Sequence, residues 1–213
     1  MLETTFPIGL SAPDYLSQLE RGDDDVPLES MTERAGVTLE TLRRRSGDRH
    51  ELLARWAESD LPMLLTGPAD TNAIRARMIH EKSPRANQPF GKVRCSGWTC
   101  ELLEIELFGL EFETASSLRE GFPGILERCS GGTVFLGDIS SLPWRLQARL
   151  VDVLDQKRWS RLEGKTWVEA DVRIITSLPL AAALAIERGC LRKDLCYRLH
   201  DASGLRVVEV LQH

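Results

Sequence analysis

From Arg49 onward, short strand-length apolar runs alternate with segments of helical periodicity, and this alternation constrains the fold more than any other feature. The first run, Leu61-Pro62-Met63-Leu64-Leu65-Thr66, ends at Gly67 and is followed by a helical stretch from about Asn72 to Glu81. A second run covers Phe90 to Cys95, a third covers Thr133 to Leu136 behind Gly131-Gly132, and a fourth covers Asp171 to Thr176. Strands that take turns with helices are joined by crossovers, so the expected architecture is an α/β domain with a largely parallel sheet. Between the third and fourth runs, Leu142 to Leu154 sets Leu146, Leu150, Val153 and Leu154 on one helical face. Arg158-Trp159 through Trp167 then reads as a hairpin turning at Leu162-Glu163-Gly164-Lys165.

The N-terminal part has a different texture. Met1 to about Val26 mixes short apolar pieces with Pro7, Pro13 and the acidic run Asp23-Asp24-Asp25, which reads as a tail or linker. In Pro27 to Arg45, residues Met31, Ala35, Val37, Leu39 and Leu42 line one side of two short helices broken at Gly36. This segment resembles the turn and second helix of many bacterial DNA-binding domains, which would set Arg43, Arg44 and Arg45 against phosphates. An amphipathic linker helix with a basic solvated face accounts for the same residues, and no third helix completes the module. The expected organisation is a tail and linker over 1–48, with the partial helix-turn-helix at 27–45, followed by an α/β domain over 49–213.

With 213 residues, 42% hydrophobic and 28% charged, the chain can build one ordinary globular core plus a small appendage. No apolar run approaches the roughly eighteen residues that span a bilayer, and acids precede any signal-like stretch, so a cytoplasmic protein without a membrane partner is expected. The net charge of −5 gives no global attraction to nucleic acid, so any DNA contact has to be local. Cys95, Cys100, Cys129, Cys190 and Cys196 form neither a CxxC pair nor a cluster at zinc spacing, and are read as reduced packing residues.

Eight short strings follow one another in a telling order: LPMLLTG, IHEKSPRANQPF, GKVRC, ELFG, GGTVFLGDI, LPWRLQARLVDVLDQKRWSRLEG, ADVRIIT and LRKDLCYRL. In order and approximate spacing they resemble the central ATPase domain of sigma-54-dependent transcription activators, a branch of the AAA+ superfamily, over Leu61 to about Leu199. The resemblance implies a P-loop NTPase fold, a three-layer α/β/α sandwich with a mostly parallel sheet that here stops before the family's helical lid.

The same resemblance exposes departures wherever the chemistry should lie. A working phosphate loop, G-x-x-x-x-G-K-[ST], cradles phosphates with backbone amides and neutralises them with its lysine. Here the loop reads Gly67-Pro68-Ala69-Asp70-Thr71-Asn72-Ala73, one residue short, without the second glycine or the lysine. Pro68 lacks an amide donor and Asp70 brings a carboxylate towards the phosphate position, leaving Gly67, Thr71 and Asn72 as the residual nucleotide contacts. The paired acids that would hold magnesium and polarise water are replaced by Gly137-Asp138, and the polar sensor aligns with Pro179. The sigma-contacting loop, GAFTGA in the family, is Glu113-Thr114-Ala115-Ser116-Ser117-Leu118, without its glycines or aromatic. Arg192 and Arg198 match two arginines that the family supplies to a neighbouring subunit's γ-phosphate, although pairing with Asp194 or Asp201 would equally occupy them.

These losses imply an ATPase homologue that does not hydrolyse. No catalytic residue is intact, no metal site is expected, no cofactor is required, and ATP with magnesium is disfavoured. The expected function is transcription regulation as a partner subunit, with a full-length sigma-54 activator or an RNA polymerase sigma factor as the partner. A small DNA-associated regulator using the N-terminal segment and a weak ATP-binding domain are the alternatives.

Overall fold

The computed structural model of the protein describes residues 56–113 and 119–201. In chain order the elements are β1 (Met63–Thr66), α1 (Ala69–Glu81), β2 (Phe90–Arg94), α2 (Cys100–Phe108), β3 (Leu110–Glu113), β4 (Arg119–Phe122), α3 (Ile125–Arg128), β5 (Thr133–Gly137), a 3-10 turn (Ile139–Ser141), α4 (Trp144–Gln156), β6 (Arg158–Ser160), β7 (Trp167–Glu169), β8 (Arg173–Leu178), α5 (Ala182–Glu187) and α6 (Lys193–Asp201). The tail and linker over 1–48, including 27–45 with Arg43, Arg44 and Arg45, lie outside the described residues, as do 114–118 and everything beyond 201.

Four strands pair in parallel in the order β1-β8-β5-β2, with Met63 opposite Ile175, Thr133 opposite Arg173, and Phe90 opposite Thr133. Parallel neighbours need crossovers, and the helices that supply them cover both faces of the sheet. The side-chain alternation along each strand divides the core accordingly. Val134 and Leu136 of β5, Ile174 of β8 and Leu64 of β1 enter the larger cluster, beneath Leu103 and Leu107 of α2, Leu146 and Leu150 of α4, and Leu195 and Leu199 of α6. Phe135, Ile175, Met63 and Leu65 face the other way, against Ala73, Ala76 and Ile79 of α1 and Trp56. The result is a three-layer α/β/α sandwich.

The boundaries move where burial, not periodicity, decides them. Helix α1 begins at Ala69 instead of Asn72, because its first turn, Ala69-Asp70-Thr71, is exposed or half-buried and carries no apolar signal. On α4, Leu146, Leu150 and Val153 are buried, Leu154 is half-buried, and Gln147 is buried among them. The β6–β7 hairpin turns over 161–166, with Trp167 already in its second strand. A second antiparallel hairpin, β3–β4, brackets residues 114–118 and has no counterpart in the sequence reading.

His80, at the end of α1, is 2% exposed; its Nδ1 lies 3.0 Å from Thr133 Oγ1 and its ring 5.1 Å from that of Phe90. Burial holds its pKa below the usual 6.5, so the unfolded chain takes up this proton first on acidification. Stability is therefore expected to fall as pH drops below about 6.5, until the folded histidine protonates too. Asp60, Asp155 and Asp194, held by Arg85, Arg198 and Arg192 below their ordinary carboxylate value of 3.8, act in a separate and more acidic window. Urea midpoints measured across this range should lose the near-neutral slope in His80→Gln and keep the acidic one.

Candidate functional site

The carboxyl ends of β8, β5 and β2 and the first turn of α1 open on a cavity of about 330 Å³ lined by Asp70, Lys92, Arg94, Asp138, Ser177 and Pro179, among others. This is where an open α/β sheet binds its ligands. Lys92 and Arg94 enter it from one face of β2, as the two-residue repeat of a strand dictates, and neither was singled out from the sequence.

The connection between β1 and α1 is only two residues long. Gly67 adopts φ +117, a conformation that side chains resist, and its N–H donates to Leu178 O at 3.0 Å. Pro68 follows as the N-cap and has no N–H. A phosphate cradle consists of several successive amides aimed inward. Ahead of this helix there is one amide, and β8 has taken it.

Asn72 seals the arrangement. It is fully buried, and its Nδ2 donates to Gly67 O at 3.0 Å while its Oδ1 accepts from Arg75 Nη1 at 3.2 Å. Its backbone N–H donates to Pro68 O at 3.0 Å. Of the three residues expected from the sequence to contact nucleotide, Gly67 and Asn72 thus bond to each other, and Thr71 sits half-buried in the first turn of α1. The sequence carries the signal for this closure only in the absence of a glycine and a lysine, which says nothing of what fills the space.

At the end of β5, Asp138 takes a left-handed conformation with φ +57. Its Oδ1 accepts from Ser140 Oγ at 2.5 Å and its Oδ2 from Ser141 Oγ at 2.6 Å, so both oxygens serve the 3-10 turn that follows. Its N–H donates to Ser177 Oγ at 3.1 Å. Packing does not require glycine at position 137. A Cβ there would meet Phe135 Cε1 at 3.5 Å and Val93 O at 3.7 Å, both ordinary contacts. Pro179 lies at the cavity wall just beyond β8 and offers no side-chain donor.

Arg192 and Arg198 do not line this cavity. Arg192 pairs bidentately with Asp194 at 2.9 and 2.6 Å, and its guanidinium lies 5.5 Å from the ring of Trp144. Arg198 pairs with Asp155 at 2.6 Å through each of two nitrogens. Gln147 fixes the approach to α6, accepting from Arg192 N at 2.9 Å and donating to Leu142 O and Cys190 O. In the sigma-contact segment, Glu113 ends β3 opposite Arg119, while Thr114, Ala115, Ser116, Ser117 and Leu118 lie outside the described residues. None of the five cysteines is joined in a disulfide, and burial pushes the pKa of Cys95 up. Among the described residues no cluster of three or more His, Cys, Asp or Glu could hold a metal ion, and no helix is long and apolar enough to cross a membrane.

A family model described as the sigma-54 interaction domain matches residues 42–203. The chain is 33% identical over 193 residues to the response regulator protein FleR of Pseudomonas aeruginosa, covering 90% of this chain and 38% of the relative. It is 37% identical over 151 residues to the regulatory protein AtoC of Escherichia coli, covering 69% and 32%. Among solved structures, NtrX from Brucella abortus in complex with ADP superposes with a TM-score of 0.63 at 34% identity, covering 70% of this chain and 32% of that one. A second NtrX structure gives 0.64 at 31% identity, covering 88% and 38%. The chain thus spans about a third of the length of the curated relatives it matches.

Proposed function

We propose that this chain, which belongs to the sigma-54 interaction domain family, takes part in transcription regulation as a non-hydrolysing partner subunit, with a sigma-54 activator or the sigma factor itself as its partner. The observation that carries this reading is the closed connection at Gly67, where two donors that a phosphate could use are spent within the protein, the Gly67 N–H on Leu178 O of β8 and the Asn72 side-chain amide on Gly67 O. Asp138, spent on Ser140 and Ser141, supports it independently. NtrX, of similar fold, has been solved with ADP and with ATP. Phosphoryl transfer is mostly positioning and electrostatic stabilisation, and here the positioning loop and the loop's cation are both missing.

Arg192 and Arg198 are the residues through which such a subunit could still act on a neighbour. A finger arginine stabilises charge that develops on someone else's phosphate and needs no nucleotide of its own. Here Asp194 and Asp155 would have to release them, and exposed ion pairs of this kind open readily.

Titration of the purified chain with millimolar ATP, with and without magnesium, is expected to give no heat and no thermal shift. A ligand present at a hundred times its dissociation constant would add about 2.7 kcal/mol to stability, which is easily detected. Magnesium-dependent binding at one nucleotide per chain would overturn the reading, as would failure to bind either a full-length activator or the sigma factor at micromolar concentration.

A further inference from the structure

Away from the cavity, the β6–β7 hairpin holds an aromatic ring open to solvent. Trp159, on its inner face, is 4% exposed and donates from Nε1 to Phe108 O at 3.0 Å, whereas Trp167, on its outer face, is 62% exposed. The Arg158 guanidinium carbon lies 5.0 Å from the Trp167 ring, although Glu169 is the residue opposite Arg158 in the ladder. Lys157 and Lys165 are exposed on either side. From Lys157 to Trp167 the chain carries four cations, two tryptophans and one acid, Glu163, within a protein of net charge −5. Arg161 is committed to Glu127 at 2.6 Å, which leaves Arg158 beside the ring and the exposed Lys157 and Lys165 at the two ends of the hairpin's first strand and turn.

This face is rigidly mounted. Leu162 N–H donates to Gly109 O at 2.9 Å, Glu111 N–H donates to Leu162 O at 2.9 Å, and Thr166 Oγ1 donates to Glu111 Oε2 at 3.0 Å. The two hairpins therefore form one platform, and Trp167 needs little further ordering to receive a flat ligand.

We propose that the β6–β7 hairpin binds single-stranded nucleic acid, with a base stacked on Trp167 and the flanking phosphates on Lys157, Arg158 and Lys165. Exposed tryptophan interleaved with cations is the chemistry that holds an unpaired strand, because every base offers a π-face and the phosphates follow the positive charge. A duplex hides its base faces. Glu163 and Glu169 dilute the positive charge, so stacking contributes more here than a dense basic surface would. The proposal goes beyond the partner-subunit reading and does not depend on whether nucleotide binds in the cavity.

Anisotropy of a labelled single-stranded oligothymidylate, titrated with the full chain at about 50 mM salt, tests it. Binding is expected, with a log–log salt slope of about −2 for three phosphate contacts. Trp167→Ala should weaken it by about tenfold or more, Trp167→Phe should recover part of the loss, and the same sequence as a duplex should bind less tightly. Thermal unfolding of Trp167→Ala should match the parent, since the ring is mostly in solvent. No binding at low salt, or binding indifferent to Trp167→Ala, would overturn the proposal. So would oligonucleotide binding that disappears when Arg43, Arg44 and Arg45 are changed to alanine, which would place the contact in the N-terminal segment. Loss of sigma-factor capture in Trp167→Ala, without any oligonucleotide binding, would reassign the face to a protein and equally overturn it.

Discussion

Gly132→Ala is expected to destabilise the fold by at least about 3 kcal/mol, and so to leave little folded protein at 37 °C. A Cβ at Gly132 would stand 1.9 Å from Pro89 O and 2.8 Å from Pro89 C, inside the backbone of the neighbouring strand entry. That same carbonyl accepts from Thr133 N at 2.9 Å, while Gly132 O accepts from Arg173 N at 3.1 Å, so the residue sits where β2, β5 and β8 come together. Neither strand can retreat without giving up ladder hydrogen bonds. The adjacent Gly131 is a glycine for a different reason. It has φ +81, and the nearest atom to an added Cβ is 3.5 Å away on the Gln88 side chain. Gly131→Asn should therefore cost only about 1 kcal/mol, the strain of a left-handed conformation that asparagine tolerates. Urea unfolding of the two variants side by side checks both. Equal effects would mean that the backbone contact at Pro89 relaxes more than a packed sheet allows.

Arg173→Ala should be the second large loss, about 3–5 kcal/mol. Arg173 is 2% exposed, and its Nη2 donates to Trp56 O at 2.5 Å and its Nη1 to Ala57 O at 3.3 Å. Burial draws its pKa down to about 10, which still leaves it charged near neutrality. Truncation removes the side-chain volume and leaves two carbonyls without their donor in a place water does not reach. Arg173→Met keeps the volume and loses only the hydrogen bonds, so it should cost distinctly less, about 1–3 kcal/mol. In both variants hydrogen exchange should quicken first around Trp56 and Ala57, whose carbonyls the guanidinium ties to β8.

Much of this architecture is legible in the sequence because it rests on patterns of apolar residues. LLTG, TVFL and VRII announce three of the four parallel strands, and the spacing of Leu146, Leu150 and Val153 announces the buried face of α4. Polar residues that turn inward are the ones that escape. Arg173 lies in a strand motif whose apolar residues carry the signal, and it is among the most buried side chains described. Gln147 carries no apolar signal on α4, and it holds three backbone groups together. Nor does a linear string reveal that Arg85 joins Asp60 to Asp171, two acids separated by more than a hundred residues. At the phosphate-loop position, the sequence offers no lysine between Gly67 and Ala73. What the neighbouring polar groups do instead is visible only in three dimensions, because Asn72 reaches back five residues to Gly67 and Asp138 reaches forward to two serines.

The two-residue connection at Gly67-Pro68 also bears on heredity. A lysine lost by substitution alone lies a codon or two from return. Here the route back needs an inserted residue, a glycine and a lysine in the new loop, and an acid at position 137. On the proposed reading a lysine alone would not make this connection a phosphate site, because Gly67-Pro68 offers a single N–H ahead of α1 and Leu178 O already holds it.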